Sequence, residues 1–126
     1  MRISRQKFEE MVSELALKIV ESLPAELRKK AEAVLFAIED YPDSEQLDDN
    51  DEEGDLLGLY EGTPLPERYI DQEPLIPDRI TLFRIPLMEM CRGLKELRRE
   101  VRLTIIHELG HFFGFSEEEL EKLGLL

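Results

Sequence analysis

The chain has little of what extracellular, membrane and nucleic-acid-binding proteins rely on. A single cysteine, Cys91, excludes an internal disulfide. No apolar run approaches the roughly 20 residues that a bilayer-spanning helix needs. Positive charge is scarce: 16 Lys and Arg stand against 29 Asp and Glu, a formal net charge of −13. Such an excess argues against non-specific binding to nucleic acid or to an anionic membrane surface. The opening Met1-Arg2-Ile3-Ser4-Arg5 leads into a charged amphipathic stretch without the apolar centre of a signal peptide, which predicts a cytoplasmic protein. A length of 126 residues predicts a single domain, 1–126, with one modest core. No internal repeat is visible.

Histidine is equally scarce, and both copies fall in one pentad, His107-Glu108-Leu109-Gly110-His111. This is the pattern H-E-x-x-H. On a helix an i, i+4 pair projects from one face about one turn apart, so two imidazoles can share a tetrahedral cation such as Zn²⁺. Glu108 lies about 100° around the helix, where it can act as base toward a water near that cation. With histidine near two per cent and glutamate near six per cent of residues, chance yields this pattern in fewer than roughly one chain of this length in a hundred. The simpler alternative is a pair of packed histidines beside a surface glutamate.

The residues that follow extend the motif to H-E-x-x-H-x-x-G-x-x-E. Gly114 can adopt the left-handed conformation that ends a helix and turns the chain back. No third histidine remains, Cys91 is the only thiol, and fifteen residues follow His111, too few for a separate helical pair carrying a distant glutamate. A carboxylate after Gly114 is left as third ligand: Glu117 first, Glu118 next. Ser116-Glu117-Glu118-Glu119 also reads as a capping box, with Ser116 as N-cap and Glu119 reaching back. Capping uses Ser116 and Glu119 and leaves Glu117 available, so the two readings coexist.

Along the chain, Ser4 is placed to cap a helix whose apolar positions Phe8, Met11, Val12, Leu15 and Ile19 follow the helical period and which ends near Leu23-Pro24. Pro24 suits the first turn of a short second helix through Lys30. Ala33 to Ile38 is apolar on both faces; periodicity alone does not choose between strand and helix there, and a strand is expected. Residues 39–55 are dense in acid and read as a solvated loop. Asp49 to Gly54 begins like a calcium-binding loop, but Tyr60 stands where that loop needs a bidentate glutamate. Leu56 to Tyr60, with prolines beyond it, predicts a short edge strand, and Arg79 to Ile85 a clearer one. Pro86 is placed to open a short helix through Met90. Leu94 to Phe113 forms the motif helix, with Val101, Ile105, Leu109 and Phe112 as its core stripe and His107 and His111 on the far side. Gly110 would admit a close neighbour.

Three segments together resemble a bacterial zincin-like metallopeptidase family, the mini-zincins: Gly58-Leu59-Tyr60-Glu61-Gly62-Thr63-Pro64-Leu65, Pro77-Asp78-Arg79-Ile80-Thr81-Leu82-Phe83-Arg84, and Val101-Arg102 through Gly114. The family's closing pattern, H-E-x-x-H-x-F-G with an acid three positions past the glycine, is matched by His107, Glu108, His111, Phe113, Gly114 and Glu117. The final acid is often Asp in the family, and Glu117 is one methylene longer. The resemblance implies a small α+β fold, a short mixed sheet packed on helices with the motif helix beneath an edge strand.

The expected activity is therefore zinc-dependent hydrolysis of a peptide or protein substrate, with one Zn²⁺ held by His107, His111 and Glu117 and with Glu108 as general base. The alternative is a metal-stabilised binding module without catalysis. Structural zinc sites fill all four positions with protein ligands, so recruitment of Cys91 would favour that alternative. Tyr60, at the strand end, is a candidate oxyanion donor, though an aromatic there is more often packing.

Overall fold

The computed structural model describes residues 2–49, 56–68 and 76–126. Six helices and a three-stranded sheet make up these residues. The first helix, α1 (Arg5–Ser22), starts where the Ser4 hydroxyl accepts the Lys7 amide, which satisfies one of the amides a helix start leaves free. It stops before Pro24, which opens α2 (Ala25–Ala31). The apolar run that follows is the strand β1 (Leu35–Glu39). Its pairing decides what periodicity left open, because β1 lies parallel to β3 (Arg79–Phe83), from Leu35 opposite Arg79 to Glu39 opposite Phe83. On the other side of β3, β2 (Gly58–Glu61) pairs antiparallel, with Gly58 opposite Leu82 and Glu61 opposite Arg79. The order β1-β3-β2 makes the sheet mixed and leaves β2 at an edge.

The acidic stretch 39–55 is not loop throughout. Glu39 ends β1, and α3 (Ser44–Asp49) follows. Asp43 and Gln46 cap it reciprocally: the Gln46 amide donates to Asp43 Oδ1 and the Asp43 amide to Gln46 Oε1, both at 2.8 Å. The calcium-loop pattern from Asp49 onward lies mostly outside the described residues. After β3 the chain enters α4 (Arg84–Met90) two residues before Pro86, then α5 (Leu94–Phe113) and α6 (Glu117–Lys122).

Side chains alternate across a strand, so even-numbered residues share one face of this sheet. Ile80 and Leu82 on that face are fully buried, and Phe36, Ile38 and Tyr60 pack against the same core. Helices α1 and α5 pack on each other and line the core, to which α1 contributes Phe8, Val12, Leu15 and Ile19 and α5 contributes Leu97, Val101, Ile105 and Leu109. The opposite face carries Arg79 and Glu39. Their side chains meet at 2.9 Å although their backbones sit four register positions apart, so the pair lies along the sheet over Ala37 and Thr81. Among the described residues, no helix is long and apolar enough to cross a membrane.

Candidate active site

Helix α5 starts just after its N-cap Gly93 and runs twenty residues, Leu94–Phe113. Leu97, Val101, Ile105 and Leu109 bury one stripe completely, and this burial fixes the helix rotation that turns His107 and His111 outward. Both histidines are exposed, as their place opposite the stripe predicts. The helix ends at Gly114, whose φ of 75° and ψ of 30° are left-handed. The Phe115 amide then reaches back to the Gly110 carbonyl at 2.8 Å and the Gly114 amide to the His111 carbonyl at 3.2 Å, which satisfies carbonyls the helix end leaves open. A Cβ at Gly114 would collide with the ring of Pro66, so the turn is also a packing site. At Gly110 the close neighbour is Leu120 of α6: a Cβ there would lie 3.0 Å from its Cδ1.

The second border of the site is β2. Gly58 lets it sit low on α5, since a Cβ there would come within 2.5 Å of Thr104 Cγ2 and 3.7 Å of Glu108 Cγ. The Phe83 amide bonds to the Leu57 carbonyl at 3.0 Å. In an antiparallel pair, bonded positions alternate, so Leu57, Leu59 and Glu61 face β3 while the polar backbone groups of Gly58 and Tyr60 face the free edge. One of those edge groups is already used: the Tyr60 amide donates to Glu108 Oε1 at 2.8 Å.

Glu108 is recessed between strand and helix, its side chain only 12% exposed, whereas that of His111 is 68% exposed. His111 Nδ1 lies 3.3 Å from Glu108 Oε1. Burial pushes the Glu108 carboxyl above the ordinary carboxylate range; the His111 charge, the Tyr60 amide and the His107 charge oppose that rise and do not overcome it. The result is an open pair of imidazoles with a recessed, proton-retentive carboxylate between them.

Beyond the turn, the three successive glutamates have different surroundings. Glu119 is engaged in the capping box, accepting the Ser116 amide at 3.1 Å while Ser116 Oγ accepts the Glu119 amide at 3.2 Å. Glu118 lies 3.8 Å from Lys122. Glu117, the first residue of α6, is exposed and has no ion pair or hydrogen bond among the described residues. No three His, Cys, Asp or Glu side chains among the described residues are gathered closely enough to hold a metal ion. Two of the donors zinc uses are nonetheless set one turn apart on a rigid helix, and a third, unengaged carboxylate stands just past the turn. Cys91 is buried at the end of α4. Its thiol is pushed up by burial and then by the charges of Glu96 and Glu100, which disfavours the thiolate that metal ligation needs.

A sequence model of zincin-like metallopeptidases matches residues 31–125. The chain belongs to the zincin-like metallopeptidase family. The match takes in β1, all of the edge strand, the motif helix and α6, so it spans every element that borders the site. No curated protein matches the chain. Membership accords with the α+β architecture, a mixed sheet with the motif helix packed beneath its edge strand.

Two residues of this region escaped the sequence reading. Asp78, only 5% exposed, accepts the Tyr60 hydroxyl at 2.6 Å and pairs with Arg68. Neither falls in a periodic or spaced motif; the one signal for Asp78 was its place inside a segment shared with the family, and Arg68 lies outside those segments. The same contact commits the Tyr60 hydroxyl to Asp78, and burial followed by the Asp78 hydrogen bond drives its pKa well up.

Proposed function

We propose that the protein is a zinc-dependent peptidase in which His107, His111 and Glu117 hold the metal and Glu108 is the general base. The observation that carries this reading is the Glu108 environment: a recessed carboxylate between two exposed imidazoles, tied to the edge strand by the Tyr60 amide. Packed histidines with a surface glutamate would show the reverse exposure. Glu117 is favoured over its neighbours because Glu118 has a lysine partner and Glu119 a capping role. When bound, the ion supplies Lewis-acid chemistry to the scissile carbonyl and the attacking water.

The remaining chemistry belongs to the chain. Glu108 Oε1 is occupied by the Tyr60 amide, so Oε2 is the atom that takes the proton from the attacking water and passes it to the leaving amine. A carboxyl whose proton affinity is raised by burial is a stronger base toward the water than an ordinary carboxylate. An extended peptide lying along the free edge of β2 would meet the Gly58 amide and the carbonyls of Gly58 and Tyr60. Recognition by backbone groups favours extended segments over a particular side chain. Cytoplasmic action on a peptide or protein substrate is the setting this reading implies.

The test is a diverse peptide library incubated with zinc-loaded protein, wild type beside Glu108→Gln. The amide is nearly isosteric but cannot accept the proton. Cleavage is expected from wild type alone, with equal zinc content in both. Equal cleavage by the two, with contaminating protease excluded, would remove Glu108 as base.

A further inference from the structure

The Asp78 carboxylate does more than close a loop. Its Oδ1 accepts the Tyr60 phenol at 2.6 Å and also pairs with Arg68 Nη2. Arg68 is held in turn by its Nε, which donates to the Thr63 carbonyl at 2.7 Å, and its guanidinium lies 5.7 Å from the Phe112 ring centroid. The Tyr60 ring meets the same Phe112 edge-on at 5.8 Å. Gly62 makes the cluster possible. With φ at 151° it has a conformation L side chains rarely adopt, and a Cβ there would fall 2.6 Å from Asp78 Oδ1 and 2.7 Å from the Tyr60 hydroxyl.

A buried ion pair is a poor source of net stability, because desolvation offsets most of the attraction. Its geometry is the informative part. Tyr60 is gripped at its hydroxyl by Asp78 and at its ring by Phe112 of α5, while its backbone amide holds Glu108. Phe112 adjoins His111 in sequence. The cluster therefore bears on both elements that border Glu108, the edge strand and the motif helix.

We infer that Asp78, acting through Tyr60, is a positioning residue for Glu108. It holds the Tyr60 amide where that amide fixes Glu108 Oε1 and leaves Oε2 without that tether. Arg68 keeps Asp78 in place. The inference rests on the peptidase reading for its catalytic meaning, while the tether itself can be measured without activity.

Tyr60→Phe removes the one hydroxyl and keeps both the ring on Phe112 and the amide on Glu108; Asp78→Asn keeps an acceptor for Tyr60 but loses the charge that Arg68 pairs with. Each is compared with wild type in zinc-loaded protein for kcat and KM on a peptide the wild type cleaves, and by amide hydrogen exchange. In Tyr60→Phe, kcat should fall about tenfold with KM within about twofold, since a small misplacement of a reacting group acts on the chemical step. Exchange of the residue-60 amide should quicken about tenfold while the β1 and β3 amides keep their protection. Asp78→Asn should shift both readouts in the same direction, and if it does not fold, Tyr60→Phe decides alone. An unchanged residue-60 amide overturns the inference, whatever the activity. So does a loss of protection across the whole sheet, which would mark a merely structural role. If the wild type cleaves nothing while the residue-60 amide quickens as stated, the peptidase reading falls and the tether stands.

Discussion

Glu108 and the histidines beside it differ in solvent exposure more than in position. A carboxylate that is 12% exposed has lost most of its water, and one backbone amide and two imidazoles only partly offset that loss. Metal affinity should depend on the carboxylates past the turn very unequally. Glu117→Ala should weaken zinc binding at least roughly tenfold, in line with loss of a direct ligand. Glu118→Ala should leave it nearly unchanged, because that side chain already faces Lys122 at the helix surface. Competition titration against a chelator of known affinity measures both. Wild-type affinity in Glu117→Ala would move the third ligand elsewhere. The motif and the Ser116 cap were legible from local spacing alone, because a helix fixes which side chains are neighbours. The Tyr60, Arg68 and Asp78 cluster was not, since its members lie eight to eighteen residues apart and meet only once β2 pairs with β3.

Elements are joined here by small residues at close approaches. Gly58 lets β2 settle on α5, Gly110 admits Leu120, and Gly114 accepts both a left-handed turn and the Pro66 ring. Gly114→Ala should therefore destabilise through two separable causes, backbone strain of about 1 kcal/mol and a steric clash costing about 1–3 kcal/mol. Thermal melting should show a fall of several degrees. Pro66→Ala in the same chain should return the steric part and leave the strain, so no recovery in the double variant would refute the contact. The glycine turn was foreseeable from sequence, because left-handed backbone favours that residue type. Its proline partner, 48 positions earlier, was not. The strand β1 was ambiguous for a related reason: an apolar run on both faces suits strand or helix, and only its parallel neighbour β3 decides. At α3 a local signal did exist, the Asp43 and Gln46 capping pair, but the acid density around it read as loop.

At the scale of the whole molecule, charge pairs staple distant parts of the chain. Asp40 accepts Arg84 Nε at 2.8 Å and lies 3.5 Å from Arg5 Nη1, which joins the end of β1 to both α1 and α4. The Arg84 hydrogen bond, foremost, holds the Asp40 carboxyl below its usual value. Arg98 and Lys18 do the same for Glu14. In each case the unfolded chain binds the proton more readily than the folded one. The stabilisation is therefore complete above the ordinary carboxylate range and is lost as pH falls below about 4. Melting temperature should drop between about pH 5 and 3, and Asp40→Asn should drop less over that interval while starting lower at neutral pH. An identical acid slope in Asp40→Asn would mean that other carboxylates dominate.

The edge strand has one more consequence. A row of backbone groups that could take up an extended peptide is equally open to the β2 of another copy. Glu61 and a formal net charge of −13 set copies apart before their edges can meet. That guard acts through solvent and weakens as salt shortens the reach of charge, to about 3 Å at 1 M. Light scattering should find the protein dispersed at low ionic strength and self-associating as salt rises, with Glu61→Lys shifting the onset. If that edge serves a substrate, as proposed, long-range repulsion is what would keep it from the protein's own kind.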